Sequence, residues 1–300
     1  MKKKVSIALG GLQRIYGDHR ALEIAAQIGA DAVDFNLTDR QWDYRDPDSV
    51  YSRSDDEISA YFEGLCSRAK ELGLQIGQTH GRMCSYFGDP GQDEAAIRNA
   101  RLDCLATRAL HAPFCVMHGV SSSVMGREAD PQQMRDTCFS VFRQILPFAR
   151  KYEVILATET FGHCAAAGCC DFFGNIDEFQ AIYERICKDR ENAGYFAVCM
   201  DTGHCNHAVP YGNPPPQEVI RRLGKKIACL HLHDNDGRSD QHKIPMTGTI
   251  DWEAVFDALE ETGYSGSYNL ELHLDQFGPG FEIETAAFAV RLMRNLLSRR

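Results

Sequence analysis

The chain has no apolar run of about 18 residues, so the sequence predicts no membrane-spanning helix. It has no excess of basic residues either, since the formal net charge is −10 at pH 7. Nucleic-acid-binding proteins usually present a basic face, so this charge argues against a nucleic-acid partner. No Gly-x-Gly-x-x-Gly motif follows the first apolar stretch, which disfavours a dinucleotide-binding sheet. The composition is otherwise that of an ordinary globular protein with a sizeable core.

Cys-x-x-Cys pairs are also missing, although the chain contains 12 cysteines. Several cysteines stand inside apolar stretches, such as Cys115 in PFCVM and Cys199 in FAVCM, rather than at loop spacings. Reduced thiols in the core of a cytosolic protein explain this placement most simply. The apolar part of the N-terminal sequence MKKKVSIALGG is too short for a signal peptide. The sequence therefore predicts a cytoplasmic protein.

Short apolar stretches alternate with amphipathic helical patterns along the whole chain. The stretches are apolar on both faces, which is typical of a parallel sheet covered by helices. Strands are predicted at 5–10, 31–37, 75–80, 114–119, 154–160, 196–201, 227–233 and 267–273. Repeated strand–helix pairs without a linker predict an α/β fold, a single (β/α)8 TIM barrel domain over residues 1–300. An open doubly wound sheet is the alternative.

Polar residues that can bind metal stand at the ends of the last four predicted strands. Glu159 ends the fifth strand, Asp201 the sixth and His233 the seventh, and Glu271 lies near the end of the eighth. In a (β/α) barrel these strand ends converge on one mouth, and buried carboxylates are costly without a compensating charge. Three carboxylates and one imidazole suit Mn²⁺, Mg²⁺, Co²⁺ or Zn²⁺. The pattern predicts an enzyme with one divalent metal.

The same half of the chain contains motifs that resemble those of the xylose-isomerase-like TIM barrels. These motifs are Asp201-Thr-Gly-His204, His231-Leu-His233-Asp-Asn, the segment from Asp240 to Trp252, and Leu270-Glu271. The nearest branch is similar to the sugar phosphate isomerase/epimerase group, which includes ketose 3-epimerases and inosose dehydratases. The resemblance implies a metal-dependent isomerase or epimerase of sugars or sugar phosphates in carbohydrate metabolism. Its chemistry is proton transfer α to a carbonyl through an enediolate, and an inosose dehydratase-like lyase is an alternative.

The resemblance also implies roles for individual residues. The implied metal ligands are Glu159, Asp201, His233 and Glu271. The two glutamates match the pair that exchanges the proton, and His204 matches a substrate-binding histidine. The expected partner is a small sugar, sugar phosphate or cyclitol, and a homo-oligomer is possible.

Other polar residues are further candidates for substrate contact. His80 and His118 lie at the ends of the third and fourth predicted strands. Ketohexose epimerases of this group carry a second glutamate and an arginine where this chain has Ala165 and Ser239, with Arg238 adjacent to the latter. These differences argue against a ketohexose substrate and leave Arg238 as a candidate substrate contact.

A three-zinc nuclease of the endonuclease IV type gives a second interpretation. Its ligands match the residues His80, His118, Glu159, Asp201, His204, His233, Asp240, His242 and Glu271. Such an enzyme uses its metals to activate water and cut a phosphodiester at an abasic site. Asp240 and His242 are therefore candidates for additional metal ligands. The acidic charge favours the isomerase, and a non-catalytic sugar binder is the third possibility.

Two histidines near the predicted ligands are assigned by the side of the strand they occupy. His231 is predicted to face the helices, on the opposite side of its strand from His233, as a core residue. His273 is predicted to share a face with Glu271, where it could line the mouth.

Overall fold

The computed structural model describes residues 3–38, 41–122, 124–125, 130–160, 170–171 and 175–300. Eight parallel strands form one sheet in the order β8-β1-β2-β3-β4-β5-β6-β7. They are β1 Val5–Ala8, β2 Ala32–Asn36, β3 Gln75–His80, β4 Phe114–Met117, β5 Ile155–Glu159, β6 Phe196–Asp201, β7 Ile227–His231 and β8 Tyr268–Leu270. Each predicted strand corresponds to one of these, which confirms the (β/α)8 barrel.

The barrel closes between β7 and β8, just beyond the end of β7. Leu232 and Leu270 form a parallel bridge there. The Leu232 N–H donates to the Asn269 carbonyl at 2.8 Å, and the Glu271 N–H donates to the Leu232 carbonyl at 3.2 Å. The seam thus lies directly beside the last residue of β7 and the first residue after β8.

Helices cover the outside of the barrel. They are α1 Gly10–Tyr16, α2 Asp18–Gln27, α3 Asp55–Glu71, α4 Pro90–Ala109, α5 Pro131–Tyr152, α6 Ile176–Cys187, α7 Arg190–Ala193, α8 Thr202–Ala208, α9 Pro216–Leu223, α10 Trp252–Glu261 and α11 Glu282–Ser298. Local sequence explains where several of them begin. Ser54 and Glu57 form a capping box at the start of α3, and Asp130 caps α5 before Pro131. None of the described helices combines the length and apolar character that crossing a membrane requires.

The interior of the barrel changes character along its axis. On the side of β4 to β7, small apolar side chains form its lower layer, namely Val116, Ala157, Cys199 and Cys229. Above them, toward the carboxyl ends of the strands, the interior becomes polar. Nine of the cysteines are described with their side chains, and these are free thiols, eight of them buried, as the sequence predicts. The apolar lower layer therefore supports a polar mouth.

The connection that follows β5 falls mostly outside the described residues. The stretch 164–174, which includes Ala165, is described only at Cys170 and Asp171. Those two residues pair antiparallel with Ser121 and Ser122 on the loop that follows β4.

Candidate metal centre

Four side chains from the last four strands meet at the mouth of the barrel. They are Glu159, Asp201, His231 and Glu271, here called the central cluster, and one ligand atom from each lies within 4.8 Å of the others. The first three are the final residues of β5, β6 and β7, and the fourth follows β8 directly. The parallel sheet places them together because its strands all end at the same edge.

The carboxylates of the central cluster converge on one ring nitrogen. His231 Nδ1 lies 3.1 Å from Glu159 Oε1, 3.3 Å from Glu271 Oε2 and 4.0 Å from Asp201 Oδ2. Among the described residues, both Glu159 oxygens, His231 Nδ1 and Glu271 Oε2 are buried without a hydrogen-bond partner. Buried polar atoms normally have partners, so atoms that face one another this closely without hydrogen-bond geometry are suited to a shared cation.

The structure corrects the prediction for His231. The side chain was expected to face the helices, but residues two apart in a strand share one face, so His231 and His233 both face the barrel interior. His231 joins the central cluster, whereas His233 lies beyond the end of β7 and contacts only Asp201 among the four predicted ligands, at 3.0 Å. The structure therefore brings together three of the four predicted ligands and places His231, not His233, beside all three.

Two further histidines, His80 and His118, contact carboxylates of the central cluster. His118 Nε2 lies 3.0 Å from Glu159 Oε2. His80 Nε2 lies 3.2 Å from Glu271 Oε1 and 3.7 Å from Glu159 Oε2. The His80 ring also stacks on His231, with centroids 5.0 Å apart and planes 8° apart. His80, His118 and Glu159 form a second group able to hold a cation, called here the β3–β4 cluster.

A third group lies nearer to solvent. It consists of His204, His233, Asp240 and His242, called here the outer cluster. Asp240 lies between two of the imidazoles, 3.1 Å from His242 Nε2 and 3.4 Å from His204 Nε2. The rings of His233 and His242 stack with centroids 3.8 Å apart. His242 adopts a φ of +44°, an uncommon value for a residue with a side chain and one that clusters at functional sites.

Local structure holds the outer cluster against the central one. Asp201 caps α8, and its Oδ1 accepts from the backbone N–H of His204 at 2.6 Å. The His204 ring then reaches Glu159, with Nδ1 3.2 Å from Oε1. Gly203 leaves room for the His233 ring, because a Cβ at this position would lie 1.9 Å from its Cε1. The Asp-Thr-Gly-His motif thus supplies the last residue of β6, the N-cap of α8 and the glycine that leaves room for the His233 ring.

The remaining predicted residues lie at the rim. Arg238 is exposed in the loop after β7, and its backbone N–H donates to Asp236 Oδ1 at 2.9 Å. Within the described residues its side chain forms no ion pair or hydrogen bond with the clusters. His273 is exposed and stacks on His242 at 4.6 Å, so it borders the mouth.

The carboxylates favour positive charge at this mouth. Burial raises the pKa of Glu159, but His118 and His231 outweigh it and hold that pKa well below its usual value. Burial lowers the pKa of His80, yet Glu271 outweighs burial and raises it to about 9. Protons on imidazoles and a bound cation would satisfy the same carboxylates, so the site suits a divalent metal.

Sequence reasoning missed one further residue of the site. Asp34, in the middle of β2, is fully buried inside the barrel and lies 3.0 Å from His231 Nε2. A single carboxylate within an apolar strand has no spacing pattern that marks it. Only its polarity in a buried stretch could have indicated a role.

Comparisons with known proteins agree with this architecture. The protein y4fM of Sinorhizobium fredii is 24% identical over 201 residues, which are 67% of this chain and 59% of that protein. The chain therefore spans less than two thirds of this curated relative. D-Psicose 3-epimerase of Clostridium cellulolyticum, solved with D-tagatose, has a TM-score of 0.70 at 14% identity, covering 98% of this chain and 99% of that one.

The IolI protein, solved with a bound zinc atom, has a TM-score of 0.68 at 18% identity, covering 98% of this chain and 96% of that one. At these identities the two structures show a shared fold. The family profile described as xylose isomerase-like TIM barrel matches residues 22–296. The match covers nearly all of the barrel and every residue of the three clusters, and the chain therefore belongs to the xylose isomerase-like TIM barrel family.

Proposed function

We propose that this chain is a divalent-metal-dependent isomerase or epimerase of a sugar, sugar phosphate or cyclitol. The observation that carries the proposal is the central cluster, in which a carboxylate oxygen of Glu159 and one of Glu271 both lie within 3.3 Å of His231 Nδ1. Family membership and the epimerase among the structural neighbours support the reaction class. Compared with the prediction from sequence, the proposed ligand set contains His231 in place of His233.

The donor set of the central cluster fits a hard or borderline divalent ion. Glu159, Asp201, His231 and Glu271 would hold it, with three carboxylates and one imidazole suiting Mn²⁺, Mg²⁺, Co²⁺ or Zn²⁺. When bound, such an ion stabilises negative charge that develops on substrate oxygens. Both Glu159 oxygens and Oε2 of Glu271 are buried without a hydrogen-bond partner among the described residues, which supports this assignment independently of any relative.

The two glutamates are suited to moving a proton next to a carbonyl. Burial raises the pKa of Glu271, but His231 and His80 outweigh it and keep the group ionised, so it can accept a proton. Glu271 is more accessible than Glu159, with 17% of its side chain exposed against 1%. We infer that one carboxylate of the pair takes the proton from the carbon next to the carbonyl and that the pair then returns a proton to this carbon. We infer that His204, His80 and His118 bind substrate hydroxyls.

Solvent-deuterium exchange tests the proposal. The protein is incubated in D₂O with Mn²⁺, Co²⁺ or Mg²⁺ and a panel of ketoses, ketose phosphates and inososes, and deuterium at carbon is measured by mass spectrometry. We expect metal-dependent incorporation into at least one compound class. Glu271→Gln is expected to lose it, whereas Glu284→Gln, the same change at an exposed site on α11, keeps it. Exchange that survives Glu271→Gln at full rate would contradict the assignment.

Phosphodiester hydrolysis is the second candidate function, favoured by the outer cluster. A single metal at the central cluster would leave the potential ligands His204, Asp240 and His242 unused. Glu159 belongs to both the central and the β3–β4 clusters, so it could bind two ions. Several ions close together suit hydrolysis with an activated water. Metal content separates the two candidates, because one ion per chain agrees with the isomerase and three agree with the nuclease. Incision of abasic duplex DNA would establish the nuclease.

A further inference from the structure

A hydrogen-bonded polar layer lies directly beneath the central cluster. Asp34, with no exposed surface, is its centre. Its Oδ2 accepts from Gln78 Nε2 at 3.0 Å and from Asn269 Nδ2 at 3.2 Å, and it lies 3.0 Å from His231 Nε2. Among the described residues, Oδ1 has no hydrogen-bond partner. The hydrogen bonds of this carboxylate are therefore concentrated on the one oxygen that meets the imidazole.

The contact between Asp34 and His231 has a direction. Asp34 Oδ2 also accepts from the side-chain amides of Gln78 and Asn269, so it is the acceptor in this contact as well and the proton is on His231 Nε2. The opposite ring nitrogen, Nδ1, then points at Glu159 and Glu271. A buried imidazole without such a partner is free to place its proton on either nitrogen. Fixing the proton on Nε2 leaves Nδ1 as the atom that can bind a cation.

We propose that Asp34 is a positioning residue that sets the tautomer and ring plane of His231 for metal binding. The inference rests on the proposed function, because it assumes that the central cluster holds the metal. Carboxylates that hold a ligating histidine in this way raise its basicity and fix its orientation. The stacking of His80 on His231 extends the effect, because the plane of one ring constrains the other.

A purely structural role for Asp34 is a weaker explanation. Other interior positions of the barrel hold an apolar cluster of Val116, Ala157, Cys199 and Cys229. Replacing a buried charged pair by apolar residues of similar volume is often neutral for stability, so packing alone does not require a carboxylate here. A role in stability alone would also not explain why the same oxygen that accepts the two amide hydrogen bonds contacts His231 Nε2. The geometry therefore points to the metal ligand as the reason for the charge.

Three variants measure the effect on metal affinity. Asp34→Ala removes the acceptor, Asp34→Asn keeps a weaker one, and Gln78→Leu removes a different donor to the same oxygen while leaving the His231 contact. Zn²⁺ and Mn²⁺ binding is followed by titration calorimetry. We expect affinity to fall by about 10- to 100-fold for Asp34→Ala and by less for Asp34→Asn. The Gln78→Leu control should stay within about threefold, well short of that range.

A spectroscopic readout needs no Asp34 variant. In Zn²⁺-loaded wild-type protein labelled with ¹⁵N-histidine, the His231 signals, assigned by their loss in His231→Asn, should show a protonated Nε2 and a metal-bound Nδ1. A proton on Nδ1 would overturn the inference. Equal Zn²⁺ affinity in Asp34→Ala and wild type would overturn it while leaving the proposed function intact. Failure of the wild type to bind either ion would overturn both.

Discussion

His231 and His233 share one face of the chain but belong to different clusters. His231 contacts Glu159 and Glu271 through Nδ1, whereas His233 contacts Asp201 and stacks on His242. The two residues thus offer a matched pair for testing the ligand assignment, since the same substitution can be made two positions apart.

We predict that His231→Asn loses the tightest metal site and His233→Asn does not. Removing a ligand should weaken binding at least as much as the loss of an outer partner, about 10- to 100-fold or more. Calorimetric titration with Mn²⁺ measures both variants against wild type. If His233→Asn loses the tight site and His231→Asn retains it, the sequence-based ligand set was right and the revised one is wrong.

Gly203 gives a second prediction at this scale. A Cβ there would lie 1.9 Å from His233 Cε1, so Gly203→Ala must displace the ring from Asp201. Such overpacking costs about 1–3 kcal/mol of unfolding free energy. Gly64, exposed within α3 with nothing within 4 Å of its added Cβ, is the control.

Gly64→Ala is expected to stabilise the protein by about 0.5–1 kcal/mol, because alanine loses less backbone entropy in a helix. Urea denaturation measures both glycine variants. Equal stability of Gly203→Ala and wild type would mean that the His233 ring is free to move.

Sequence reasoning located the glutamates, Asp201 and the outer histidines because each ends or follows an apolar strand. The prediction for His231 is wrong because residues two apart in a strand face the same side, so His231 shares the face of His233. Asp34 escaped notice because its importance arises from three residues on other strands, His231, Gln78 and Asn269, and their contacts exist only once the barrel closes.

At the scale of elements, α3, α4 and α5 are joined by one arginine. Arg101 on α4 binds both oxygens of Asp55, the first residue of α3, at 2.7 and 2.9 Å. The same guanidinium donates to the Tyr152 hydroxyl, at the end of α5, at 2.9 Å. These contacts connect three consecutive helices on the outside of the barrel.

We predict that Asp55→Asn lowers stability in a pH-dependent way. Hydrogen bonding to Arg101 lowers the pKa of Asp55, so its contribution is present above the unfolded value of about 4 and is lost as pH falls through the lower folded value. At pH 7 the loss should stay below about 1 kcal/mol because the pair is partly exposed. Asp56→Asn, on the same helical turn, is the control. Urea denaturation at several pH values measures the stabilities of the variants and wild type. A difference between Asp55→Asn and wild type that persists at the lowest pH would contradict the prediction.

The strands and most element boundaries were predictable because parallel strands buried on both faces leave continuous apolar runs. The end of β7 was less predictable from the sequence. The prediction extended it to residue 233, whereas β7 ends at His231. Beyond it, Asp234 and Lys243 pair antiparallel within the following loop. Apolar pattern does not reveal this change of partner, because Leu232 remains fully buried.

For the whole molecule, the mouth concentrates acidic groups on an already acidic chain. We predict that removing metal with a chelator lowers the melting temperature. An ion at about 100 times its Kd contributes about 2.7 kcal/mol, which corresponds to roughly 5 °C for a chain of this size. Differential scanning fluorimetry measures the shift on adding Mn²⁺ back. Glu159→Gln should lose most of it and Glu284→Gln should keep it, and equal shifts in the two variants would contradict a metal at the central cluster.

The closing seam of the barrel gives the ligands a mechanical consequence. His231 and Glu271 stand immediately beside the Leu232–Leu270 bridge, one on each edge of the sheet that must meet there. An ion bound by both residues would hold the two edges of the sheet together at a place where few backbone hydrogen bonds join them. We therefore expect the Leu232 and Glu271 amides to exchange with deuterium more slowly once Mn²⁺ is bound, while amides between β2 and β3 exchange at an unchanged rate. Metal binding would then stabilise the closure of the barrel as well as prepare the site for catalysis.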